Sequence, residues 1–187
     1  MKRMIMNRFF KFITIGLILC IVFVTGCSKS TSELTGTVSP NLTNTIKTLK
    51  FEQVKSAKIK LGTAGANPIK YDIFDFNNPD HTKVIKEVVH YLNSAKIQGN
   101  AYKQIVNDKG GSPPCLIIDL KDGSVIEINY AIHDTVKKNL DGSTDASKNL
   151  IPNEVEINIV NSNVNSIRIL SPEIKNLIFS DYEVIFK

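Results

Sequence analysis

The chain of 187 residues contains no tryptophan, three histidines, three cysteines and three arginines. Each scarcity excludes something. Without tryptophan, and with five tyrosines, an aromatic platform for stacking sugars lacks its material. A nucleic-acid surface is excluded on charge, although the formal net charge of +5 suggests one. Lys2, Arg3, Arg8 and Lys11 lie in the first 26 residues, which carry no acid. Removing these four from the 23 basic residues leaves 19 against 18 acidic ones, a net of +1, with Arg168 the sole remaining arginine. No glycine-rich phosphate cradle, P-loop or HExxH pattern is present, so no cofactor or catalytic metal is expected. What remains is an apolar fraction of 42%, sufficient for the core of one domain with an appendage.

The appendage comes first. A basic segment is followed by an apolar run from Ile13 to Val24 and then by Val24-Thr25-Gly26-Cys27. Twelve helical residues span roughly 18 Å, short of the ~30 Å hydrocarbon core, so the run fits a secretory signal better than a membrane span. Val24, Thr25, Gly26 and Cys27 resemble the lipobox of bacterial lipoproteins. The resemblance covers about the first 27 residues. It implies a diacylglyceryl thioether on the Cys27 sulfur, cleavage of residues 1–26 before it, and acylation of the new amine. Two acyl chains make a lasting anchor where one holds only reversibly. The expected address is the extracytoplasmic face of the cell membrane, with membrane lipid as the first partner through acylated Cys27. Cys20 would leave with the leader, so Cys115 alone would keep a free thiol and no internal disulfide could form.

Residues 28–49 hold ten Ser or Thr, with Gly36 and Pro40. Such a composition reads as a flexible tether over 27–49, with a coil span of roughly 25 Å. A single domain is expected over 50–187.

Within it, alternation over Ala57–Leu61 and Ile69–Phe76 predicts a hairpin around Thr63–Pro68. Asp80 is the expected N-cap of a helix whose apolar stripe is Val84, Ile85, Val88, Leu92 and Ala95. Pro114–Leu120 and Val125–Ile132 predict a second hairpin. A three-residue loop, Asp122-Gly123-Ser124, would pair Leu120 with Ile126 and Ile118 with Ile128. Residues 133–153 read as polar loop. Val155–Val160 and Ser166–Leu170 read as a third strand pair, turning at Asn161-Ser162-Asn163, before a helix opened by Ser171-Pro172-Glu173. The expected class is α+β: an antiparallel sheet of hairpins covered by a main helix over about 80–96 and a short one over about 171–179.

Candidate chemistry is sparse. His133 and Asp134, opening the expected polar loop, are the least poor base and orienting acid. His81 is expected on the solvated first turn and His90 at the edge of the core. The expected register sets Asp119 opposite Glu127, two like charges that a lysine or a cation would bridge. Arg168 beside Glu173 suggests a surface ion pair or anion contact. Cys115, at a strand start after two prolines, reads as inert packing. The body is also similar to small domains carried by envelope lipoproteins of low-GC Gram-positive bacteria, in Leu92-Asn93-Ser94-Ala95-Lys96, Leu120-Lys121-Asp122-Gly123-Ser124 and Ser171-Pro172-Glu173; that similarity implies no functional residue. The expected function is therefore a lipid-anchored, non-catalytic binding or accessory module meeting an envelope protein or wall component. An envelope hydrolase using His133 and Asp134 is the alternative. A solute-binding lipoprotein is a lesser one, since a body of this length is small for two lobes.

Overall fold

Alternation of apolar and polar residues along the strands forces one sheet face inward, and the helices supply its cover. A computed structural model of the chain describes residues 38–62, 68–102, 113–139, 141–160 and 166–186. The lipobox positions Val24 to Cys27 and the turns at 63–67 and 161–163 lie outside the described residues. Seven strands form one antiparallel sheet: β1 (Val54–Lys60), β2 (Tyr71–Ile73), β3 (Lys96–Asn100), β4 (Cys115–Leu120), β5 (Val125–Lys138), β6 (Thr144–Val160) and β7 (Ile167–Leu170). Their spatial order is β2-β1-β4-β5-β6-β7-β3. The helices are α1 (Pro40–Lys47), α2 (Pro79–Ser94), α3 (Pro172–Phe179) and α4 (Tyr182–Ile185). The class is α+β as expected. Among the described residues no helix is long and apolar enough to cross a membrane.

Ala57, Ile59, Leu116, Ile118, Ile126, Ile128, Val155, Ile157, Ile167 and Ile169 are buried in one core with Ile85, Val88 and Leu92 of α2 and Ile174 and Ile178 of α3. These strand residues obey the period of two, and the α2 set falls on one helical face. The cap of α2 differs from the expected one. Asn78 accepts the Asp80 N–H at 2.9 Å and Pro79 takes the first helical position, where its missing N–H costs nothing. Asp80 sits in the first turn instead. The helix also stops earlier, at Ser94, and Lys96–Asn100 becomes β3, which closes the sheet beside β7.

The β4–β5 hairpin keeps its expected faces and changes its register. Ile118 pairs with Ile126 and Leu116 with Ile128, so the three-residue loop is Lys121-Asp122-Gly123, one position earlier than expected. The Ser124 carbonyl accepts the Leu120 N–H, and Gly123 adopts φ +89°, a left-handed conformation that suits glycine. Asp122 fixes this choice by accepting from both the N–H and the hydroxyl of Ser124.

Two larger corrections concern segments read as irregular. Residues 133–153 are strand, not loop. Ile132 through Lys138 pair with Leu150 through Thr144, in a ribbon about 24 Å long at ~3.4 Å per residue. Its polar side chains bond across the strands: the Thr135 and Ser147 hydroxyls are 2.7 Å apart, and Asn149 donates to Thr135 at 3.0 Å. Asp141-Gly142-Ser143 repeats the turn chemistry of Asp122-Gly123-Ser124, with Gly142 at φ +84°. The ribbon leaves the main sheet where β5 spends one residue and β6 four, between Tyr130–Val155 and Ile132–Leu150, with Asn153 at φ +60°.

The second correction is α1, which lies inside the expected tether. Leu42, Ile46 and Leu49 are buried in the common core. Lys47 donates to the Asn93 carbonyl at 3.0 Å and to that of Ala95, while Asn93 donates to the Leu49 carbonyl at 2.9 Å. The folded body therefore begins by Val38, which packs against the core.

Candidate functional site

β7 carries Ile167 and Ile169 into the core, so Arg168 between them must point to the sheet face away from the helices. There it is only 5% exposed, which corrects the expected surface pair with Glu173. Its Nη1 lies 2.6 Å from Glu154 Oε2 on β6, and its Nε donates to the Asn100 carbonyl on β3 at 2.9 Å. The guanidinium carbon stands 4.1 Å from the centre of the Tyr102 ring, and that ring meets the His133 imidazole at 4.7 Å. Glu156, directly opposite Arg168 in the register, completes the cluster.

Arg168 ties β7 to β6 and β3, and Tyr102 extends the cluster to His133 on β5. Its guanidinium is engaged by a carboxylate, a carbonyl and an aromatic face, so it is poorly placed to capture an incoming anion. Burial pushes the Glu156 carboxyl above its ordinary pKa; a hydrogen bond from Ser166 and the charge of Arg168 pull the other way and lose. The sign follows. A carboxyl with a raised folded-state pKa is destabilising when ionised, and that penalty is relieved as the pH falls through the folded value toward the unfolded one. Glu156→Gln is therefore expected to raise the urea midpoint at pH 7. The advantage should shrink toward zero as wild type is titrated through the acid range, and a constant offset across pH would contradict it.

The remaining candidates are dispersed. His133 and Asp134 lie on β5, where consecutive side chains project to opposite faces, so their adjacency does not make a base and its orienting acid. Asp134 is buried, facing Lys148 in the register. Asp119 and Glu127 are not opposed: Asp119 faces Val125 and Glu127 faces Ile117. Asp119 accepts the Ser56 hydroxyl at 2.6 Å and pairs with Lys58 at 3.6 Å, and Glu127 accepts from Asn158 at 3.4 Å. Among the described residues no three His, Cys, Asp or Glu converge as metal ligands. Burial, helped by the charge of Glu127, pushes the Cys115 thiol up to about 11, so it stays protonated and non-nucleophilic at neutral pH.

His81 is structural rather than simply solvated. Its Nδ1 accepts the Asp75 N–H at 2.9 Å while Nε2 lies 3.2 Å from the Ile185 carbonyl, which can only accept, so the proton sits on Nε2. Phe74 and Phe186 flank the ring. His90 is exposed, not at the core edge. It lines an open groove of about 470 Å³ along α2 with Pro79, Thr82, Lys83, Lys86 and Glu87. Lys86 there already lies over the Phe51 ring at 5.1 Å.

Glu154, Glu156 and Tyr102 were not singled out from the sequence. A signal was present: two glutamates spaced by two on one strand, opposite the body's sole arginine on the next. The sheet face they share continues across the molecule. Lys58, Ile117, Glu127, Asn129 and Asn158 on it are half-buried, in contrast to the fully covered helix side. Compared with known protein families, characterised proteins and solved structures, the chain matches none.

Proposed function

We propose that the chain is a non-catalytic binding or accessory module, anchored in the membrane by lipid on Cys27 and facing the extracytoplasmic side. One observation carries the binding part. Among the described residues the helices cover one face of the seven-stranded sheet, while the opposite face, beside buried Cys115 and Arg168, presents half-buried side chains of mixed polarity from β1, β4, β5 and β6. A two-layer α+β body meets the needs of its own core with one face, and the half-buried part of the second is what a partner would meet. The anchoring part rests on Val24-Thr25-Gly26-Cys27 after a basic and then an apolar segment. The partner expected on this reading is an envelope protein or wall component.

The reading is tested in two steps. Cells producing wild type should incorporate labelled palmitate into the protein, and Cys27→Ala should abolish incorporation and shift the chain to the soluble fraction. Label persisting on the variant refutes the anchor. A photo-crosslinking residue replacing half-buried Asn129 on this face should then trap one recurrent envelope partner. Turnover of a wall polymer or phosphate ester that is lost in His133→Ala would favour the hydrolase instead.

A further inference from the structure

The sheet face away from the helices ends at β2 in a small apolar ridge. Tyr71 and Ile73 of β2 share one face by alternation and are 45% and 67% exposed, with Ile69, two residues before Tyr71, 54% exposed. Ile73 and Tyr71 pair with Lys58 and Lys60 of β1, so both lysines rise beside the ridge on the same face. Lys58 is held between Asp119 and the Tyr71 ring, 5.7 Å from the ring centre. Lys60 makes no ion pair among the described residues. The result is an aromatic residue and two isoleucines fringed by one neutralised and one uncompensated cation.

We infer that this ridge rests on the anionic headgroup layer of the bilayer to which the chain is anchored, an inference that depends on the lipid anchor proposed above. Ring, aliphatic side chains and a free lysine suit the interface, where the ring and chains enter the headgroup boundary and the ammonium meets phosphate. The bilayer is also always within reach. Eleven residue steps separate Cys27 from Val38, the first described residue packed on the core, and whatever their conformation they span at most roughly 40 Å, about the width of a domain this size. Finally, β2 is a poor edge for a partner strand: it has three residues and is preceded by Pro68, a combination that blunts edge pairing.

The absence of tryptophan supplies the test, because one introduced indole reports alone. The lipidated protein purified from membranes carries Tyr71→Trp, or Ile73→Trp as a second reporter should the first not fold. A reference form carries Leu150→Trp on β6, separated from β2 by three strands, roughly 19 Å at ~4.8 Å per spacing. Each is reconstituted in vesicles of brominated phosphatidylcholine, alone or mixed with phosphatidylglycerol. With anionic vesicles, emission from position 71 should shift to the blue and be quenched several-fold more than emission from position 150. Lys60→Gln should cut that excess about fivefold, on the scale of one lysine at an anionic surface. Water-like, unquenched emission from position 71 in a chain that still floats with the vesicles overturns the ridge and leaves the anchor standing. Equal quenching at both positions overturns it as unoriented adsorption. A blue shift without quenching means burial against protein, and overturns it too. Failure to float with either vesicle sinks anchor and ridge together, whereas flotation with anionic vesicles alone, quenched at position 71, keeps the ridge and removes the anchor.

Discussion

Replacing Arg168 with leucine should lower the unfolding free energy by about 3–5 kcal/mol, the range for stripping one partner from a buried ion pair. The loss is not the Coulombic value of the Arg168–Glu154 contact. It is mainly the penalty of leaving Glu154, whose side chain is largely buried, without a counter-ion, together with an Asn100 carbonyl that loses its donor. The double variant Arg168→Leu, Glu154→Leu should recover only part of the loss, because it removes the Glu154 charge but still takes the Arg168 charge from buried Glu156 and its N–H from the Asn100 carbonyl. Arg168→Lys should recover little. A lysine has no planar fork to reach Glu154 and the Asn100 carbonyl at once while lying flat against Tyr102. Urea unfolding of the four proteins checks this. A loss below about 1 kcal/mol in the single variant would mean that water screens the pair as at an ordinary surface.

How far the sequence foretold this structure depends on whether the decisive contacts are local or distant. The α2 stripe, the inward faces of β4 and β5 and the Ser171-Pro172 start of α3 follow from spacing alone, because each repeats a period its own neighbours enforce. The β4–β5 loop shows the limit of pattern. Moving the three-residue loop by one position shifts every pair by two, which leaves every side chain on its correct face. Apolar alternation cannot separate such registers; the Asp122–Ser124 bonds do. The β5–β6 ribbon was illegible for another reason. Thr135, Ser147 and Asn149 look like loop in a linear reading, and become a ladder only when paired across the strands. Repetition of Asp-Gly-Ser at 122–124 and 141–143 was the available clue that a second hairpin of the same kind lay there. At the candidate site, the sequence supplied Arg168 but not its depth. That depth comes from β3 and Tyr102 arriving from some seventy residues away.

Ile46→Ala should cost about 2–5 kcal/mol, as for other large-to-small changes at fully buried sites. Asn44→Ala, on the exposed side of the same helix, should stay within about 0.5 kcal/mol. The contrast is large because α1 has no stability of its own. Eight residues rich in Thr and Asn are too few to hold a helix in water, so its order derives from Leu42, Ile46 and Leu49 in the core and from Lys47 on the end of α2. Lys47 makes a direct probe. In the folded protein its ammonium is engaged by the carbonyls of Asn93 and Ala95, and trypsin should cut there slowly. Once Ile46 is truncated, α1 should detach before the sheet opens, and cleavage after Lys47 should accelerate while cleavage after Lys58 in β1 and Arg168 in β7 does not. Equal stability of wild type and Ile46→Ala, with rapid cleavage of both, would return residues 40–49 to the tether. The slow outcome places the start of the folded body at or before Val38 and shortens the link from Cys27 to at most ten residues.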